Sequence, residues 1–211
     1  MNNPFFISFA PGTSGRFMAA ILYHMITGSN DDISWDSDNS AHSYDPLILQ
    51  SHDWSLIPER YKNKPYFINF PSIYQYFRFH NISPKILYNH AYPDFNEIKK
   101  NFDDPKIIII TFSEHNLKEI YLNNFRKNKN QIETILFAAR HKKFSSEQIV
   151  PSDIANNVLC ISYDDLFVPE GNSYKVLIEL ERFIGIKASQ SVINGYGLYV
   201  ENRNKMIQEI T

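Results

Sequence analysis

Four consecutive isoleucines, Ile107 to Ile110, sit between Lys106 and Thr111-Phe112, and no other stretch of the chain allows so few folds. Side chains branched at Cβ are stiff and favour extended backbone. A strand with one face in water would alternate apolar and polar residues. An unbroken run of this length instead fits a strand covered on both faces, which is the habit of parallel sheets. Parallel neighbours need long crossover connections, usually helical. The run therefore predicts alternating strands and helices along the rest of the chain.

The remaining segments follow that alternation. Phe5-Phe6-Ile7-Ser8-Phe9 reads as a buried strand. From Phe17, apolar residues at positions 17, 18, 21, 22, 25 and 26 form a stripe of helical period, with Gly28 as the stop. Leu47 to His52 is a short strand, Lys85 to His90 a third, and Val158 to Tyr163 a further one. Helices are expected at Phe95–Phe102, Glu114–Lys127, Ile132–Phe144 and Tyr174–Ile184, the last stopped by Gly185, with a terminal helix after Gly197. This pattern predicts an α/β fold in which a parallel β-sheet is flanked by helices, built as a single domain over residues 1–211. Ser29 to Ser43, crowded with Asp, Ser and Asn, reads as a surface loop, and the aromatic-rich stretch Tyr61 to Phe79 as core or lid packing.

Composition narrows the function classes. A net charge of -2 argues against general nucleic-acid binding, which requires a basic face. The single cysteine, Cys160, cannot form an internal disulfide and points to a reducing compartment. There is no apolar run of membrane-spanning length and no evident signal peptide. A cytoplasmic protein is the expectation. His42 and His52 lack Cys or carboxylate partners at ligand spacing, so no metal site is expected. Asn81-Ile82-Ser83 fits a glycosylation sequon that a cytoplasmic protein would not use.

Chemistry concentrates where the first strand meets the first helix. Pro11-Gly12-Thr13-Ser14-Gly15-Arg16-Phe17 supplies small residues, two hydroxyls and a guanidinium. The first amides of a helix have no carbonyl partners and sit at the positive end of its dipole, which favours an anion such as phosphate. The motif GxxxxGK[ST] has no match, no Lys lies in the turn, and GxGxxG is absent. A plainer role stands beside this one: Thr13 or Ser14 as a helix cap, and Arg16 on a solvated face. Sites in such folds lie beyond the carboxyl ends of the strands. His90, Thr111-Phe112-Ser113 and Asp164-Asp165 share that position, with the acidic pair read as capping the segment that follows it.

Together these landmarks resemble a shortened sulfotransferase, the family that transfers a sulfuryl group from 3′-phosphoadenosine 5′-phosphosulfate (PAPS). Pro11, Ser14 and Gly15 are similar to the family's Pro-Lys-Ser-Gly-Thr-Thr turn, with Thr13 where the Lys would be. His90 holds a place comparable to a family His, and the Lys106–Ile109 run resembles the second cofactor motif. Ile161-Ser162-Tyr163-Asp164-Asp165-Leu166 and the later Phe183-Ile184-Gly185-Ile186 resemble the Tyr-Glu-Asp-Leu segment and its Phe-Leu-Gly ending.

The resemblance implies a P-loop-like three-layer sandwich, PAPS or adenosine 3′,5′-bisphosphate as the bound nucleotide, and a small-molecule or glycan acceptor. It implies Gly12, Thr13, Ser14, Gly15, Arg16 and Phe17 around the nucleotide, Arg16 in place of the missing Lys, and His90 as general base. The family Arg of the 3′-phosphate site has no counterpart, since position 112 is Phe. Ser113, together with His115 and Asn123 at the family's spacing of eight, is the nearest substitute, and Arg203 and Lys205 stand in for a C-terminal Arg-Lys-Gly loop. With the Lys and Arg absent, a non-catalytic binder of nucleotides or sulfated ligands on the same scaffold is the second reading. A kinase would need the P-loop Lys and comes last.

Overall fold

The computed structural model describes residues 5–10, 13–28, 33, 48–50, 86–89, 92–117, 120, 144–145 and 149–208. In chain order these form β1 (Phe5–Phe9), α1 (Gly15–Thr27), β2 (Ile48–Gln50), β3 (Ile86–Asn89), α2 (Phe95–Asn101) and β4 (Lys106–Thr111), then β5 (Val158–Ser162), β6 (Pro169–Glu170), β7 (Ser173–Tyr174), α3 (Lys175–Ile184) and α4 (Gln190–Gln208).

Among the described residues one sheet runs β2-β3-β1-β4-β5, and each of its pairings is parallel. Ile107 to Ile110 are fully buried, as are Phe6 and Ile7 of β1. Both faces of these inner strands are therefore covered, which is why the isoleucine run needs no polar alternation. The architecture is α/β, a parallel sheet flanked by helices.

The strand order places the chemistry. From β1 the chain passes to one side of the sheet, reaching β2 beyond β3; from β4 it passes to the other side, to β5. The order reverses between β1 and β4, and a crevice opens beyond their carboxyl ends at such a point. Phe9 of β1 pairs with Ile110 of β4, and Thr111 of β4 with Ser162 of β5. The turns after these three strands thus leave the sheet side by side.

Helix ends follow local chemistry. Gly28 and Gly185 close α1 and α3 in the left-handed region, their amides donating to His24 and Glu181 carbonyls at 3.1 and 2.9 Å. Asp94 caps α2, its Oδ1 accepting from the Glu97 amide at 3.1 Å.

The structure departs from the sequence expectations at four points. The last helix begins at Gln190 rather than after Gly197. Gly195 and Gly197 do not break it; a Cβ on Gly195 would lie 2.7 Å from Ile33, so close packing explains that glycine. Neither Thr13 nor Ser14 caps α1 through its side chain: Ser14 is the N-cap residue without such a bond, and Thr13 turns inward. The β6–β7 hairpin was not anticipated. Glu114–Asn116 is a 3-10 turn. Most of the helices expected at 114–127 and 132–144, the 29–43 loop apart from Ile33, the 61–79 aromatic stretch, His42, His52 and the 81–83 sequon lie outside the described residues.

Candidate functional site at the strand ends

The first turn is built on Ala10, whose carbonyl accepts from both the Thr13 amide (3.2 Å) and the Thr13 hydroxyl (2.7 Å). A hydroxyl has one proton. Thr13, fully buried, donates it within the turn. Ser14 follows at φ 62°, the one non-glycine residue with positive φ among the described residues. Left-handed backbone costs such a residue roughly 1–2 kcal/mol.

Two consequences come from this backbone. The helical ladder opens with the Met18 amide donating to the Ser14 carbonyl at 3.1 Å, so the amides of Gly15, Arg16 and Phe17 precede the first i→i−4 bond. The Phe9 ring also packs directly beneath the helix start, and a Cβ on Gly15 would lie 2.0 Å from its Cγ. Gly15 is thus small for packing reasons, whatever the turn binds. Arg16 lies half-buried on the first helical turn.

Helix α4 closes over this turn from the far end of the chain. The Tyr199 hydroxyl donates to Ser14 Oγ at 3.1 Å, and its ring stacks on Phe17 with centroids 3.9 Å apart and planes at 9°. Tyr196 packs edge-on to Phe17 at 4.6 Å and donates its hydroxyl to the Leu166 carbonyl at 2.7 Å. Burial pushes both phenols above their ordinary pKa, so each remains a donor at neutral pH.

A second group occupies the ends of β4 and β5. Ser113 Oγ lies 2.6 Å from His115 Nδ1, and His115 Nε2 lies 3.0 Å from Asp164 Oδ2. Asn116 Nδ2 donates to Asp164 Oδ1 at 2.5 Å, while its Oδ1 accepts from the Ser113 amide at 2.9 Å. An ionised carboxylate only accepts, so the imidazole donates from Nε2. At Nδ1 the ring accepts from Ser113, or donates to it when the Ser113 proton goes to Asn116 Oδ1, 3.0 Å away. Ser113 and His115 thus lie together, with the Asp164 carboxylate beside the histidine.

Arg203, one turn beyond Tyr199, is buried. Its guanidinium lies 3.3 Å from the Phe167 ring centroid and 5.6 Å from that of Tyr163, and donates to the Tyr163 hydroxyl at 3.3 Å. Desolvation lowers its pKa to about 10. Lys205 is exposed. Gly12, His90 and Asn123 lie outside the described residues, as does Pro11.

Three participants had no such role in the sequence reading. Ser113-x-x-Asn116 follows the spacing of a capping box and was legible as one. Asp164 was read as a cap, because nothing local joins it to His115, 49 residues away. No sequence signal connects Tyr199 to Ser14 across 185 residues.

No family model matches the chain, and no curated protein matches it. Among solved structures it is similar to mouse sulfotransferase SULT7A1 complexed with PAP, at 15% identity and a TM-score of 0.48, covering 94% of this chain and 64% of that one. It is also similar to retinol dehydratase in complex with androsterone and inactive cofactor PAP, at 10% identity and a TM-score of 0.42, covering 99% and 64%. The chain therefore spans 64% of the length of each. Among the described residues no helix is long and apolar enough to cross a membrane, and no group of three or more His, Cys, Asp or Glu side chains is arranged to hold a metal.

Proposed function

We propose that the chain transfers a sulfuryl group from PAPS to a hydroxyl or amine of a small-molecule or glycan acceptor, holding the nucleotide at the 12–17 turn. One observation carries the reading. The left-handed Ser14 sets its hydroxyl and the leading amides of α1 at the end of β1, at the point where the strand order reverses.

In this reading the bond between sulfur and the bridging phosphate oxygen breaks as a bond from sulfur to the acceptor atom forms. The acceptor's proton passes to His90, and adenosine 3′,5′-bisphosphate leaves with the extra negative charge. Positioning and electrostatics dominate such a transfer, as they do in phosphoryl transfer. The α1 amides and Ser14 hold the phosphate, Gly12 allows close backbone approach, Gly15 lets the Phe9 ring pack beneath the helix start, and Thr13 contributes by holding the turn closed. Arg16 answers the charge on the leaving oxygen as a fixed fork of donors. This reading assigns Ser113, His115 and Asn123 to the second phosphate.

A non-catalytic binder on the same scaffold is the second reading, and specific features favour it. The family Lys is replaced by Thr13, whose proton is committed to Ala10. Phe112, in place of the Arg, is buried, and Asp164 puts a carboxylate beside His115. Calorimetric titration with adenosine 3′,5′-bisphosphate tests both readings. Absence of heat at millimolar nucleotide, with the protein folded, overturns them; binding without turnover across an acceptor panel selects the second.

A further inference from the structure

We infer that Tyr199 is a positioning residue, which turns the Ser14 hydroxyl into a proton donor aimed at the bound anion; this rests on the turn reading above. Serine Oγ carries one proton and two acceptor lone pairs. The Tyr199 hydroxyl, donating at 3.1 Å, fills one lone pair from the buried side. An oxygen that is already accepting there directs its own proton elsewhere. The α1 amides are donors and cannot receive that proton, and Ser14 makes no side-chain cap with them. The Ser14 O–H is then left to donate beside the start of α1, where the helix dipole is positive.

The geometry on the Tyr199 side is held tightly. Its ring lies flat on Phe17, a residue of the same helical turn, so the hydroxyl and its target share one rigid support. Burial keeps the phenol protonated at neutral pH, so it retains the proton that it gives to Ser14. Gly195 lets α4 pass close to Ile33, and Tyr196 anchors the same helix on the Leu166 carbonyl. The C-terminal helix thus sets the polarity of a hydroxyl near the chain's beginning.

The test is a double-mutant cycle between Tyr199→Phe and Ser14→Ala, with adenosine 3′,5′-bisphosphate as the calorimetric probe and amide hydrogen exchange of the unliganded protein as a second readout. Tyr199→Phe keeps the ring stack and removes one hydroxyl. It is expected to weaken nucleotide binding about three- to tenfold, the worth of one net hydrogen bond, and to leave affinity unchanged when Ser14 is already Ala. Exchange at residues 14–17 should quicken. Wild-type affinity in Tyr199→Phe, or equal weakening in the Ser14→Ala background, overturns the inference while the turn reading survives. If the wild-type protein binds no nucleotide, the turn reading fails and the anion-directed role fails with it. Altered exchange would then mark Tyr199 as a structural brace alone.

Discussion

His115 Nε2 lies 3.0 Å from Asp164 Oδ2, and this contact ties the turn after β4 to the turn after β5. Thr111 and Ser162 are register partners at the ends of those strands, so residues two to four positions later meet without any long excursion.

Replacing Asp164 with Asn removes that negative charge while preserving size. Where the nucleotide's second phosphate faces Ser113 and His115, affinity for adenosine 3′,5′-bisphosphate should rise roughly two- to tenfold, the scale of one charge a few ångströms away near a protein surface. The gain should shrink at high salt. Stability should fall by less than about 1 kcal/mol, because the two side chains are 70% and 50% exposed. Titration at two ionic strengths checks this, and unchanged affinity would separate the cluster from the nucleotide.

Gly15 tests the packing beneath the turn. An added Cβ would lie 2.0 Å from the Phe9 ring, and crowding of that kind costs about 1–3 kcal/mol. Gly15→Ala should lower the urea midpoint accordingly. Combined with Phe9→Leu, which removes the clashing ring, the loss should be smaller than the sum of the two single effects.

Glu181 carries an acid-dependent share of stability. Burial, the largest single influence, pushes its carboxyl pKa up, but the Lys187 ammonium at 2.6 Å and the Ala188 amide at 2.9 Å outweigh it and leave the group below its ordinary value. The folded chain thus holds this proton less tightly than the unfolded chain. The resulting stability is present above about pH 4.3 and is lost as pH falls through the folded value. Glu181→Gln should flatten that part of the acid decline, measured by urea unfolding between neutral pH and pH 3.

His90→Ala should abolish transfer, by at least about 100-fold for loss of a general base, with nucleotide affinity nearly intact. Turnover and calorimetry on the same preparation check it. Equal loss of both would make the residue structural.

Several elements were readable because their cause is local. The isoleucine run yields an inner strand, and the apolar stripe from Phe17 yields α1 as far as Gly28. Gly185 ends α3 where expected. Elements whose cause is distant were misread. The last helix was expected after Gly197, yet Gly195 and Gly197 lie inside α4, where Ile33 and Tyr174 leave little room for a side chain. Ser14 looks like a helix cap, yet its hydroxyl faces Tyr199.

Residue order alone determined the strand and helix periodicities, the parallel character of the sheet and the small, polar make-up of the first turn, since each depends on neighbours within a few positions. Tertiary structure decided which strand ends adjoin, which residue donates to the Ser14 hydroxyl, and which carboxylate meets His115. Those outcomes depend on contacts between residues far apart in the chain. Such contacts form only when burial of the sheet brings the distant segments together.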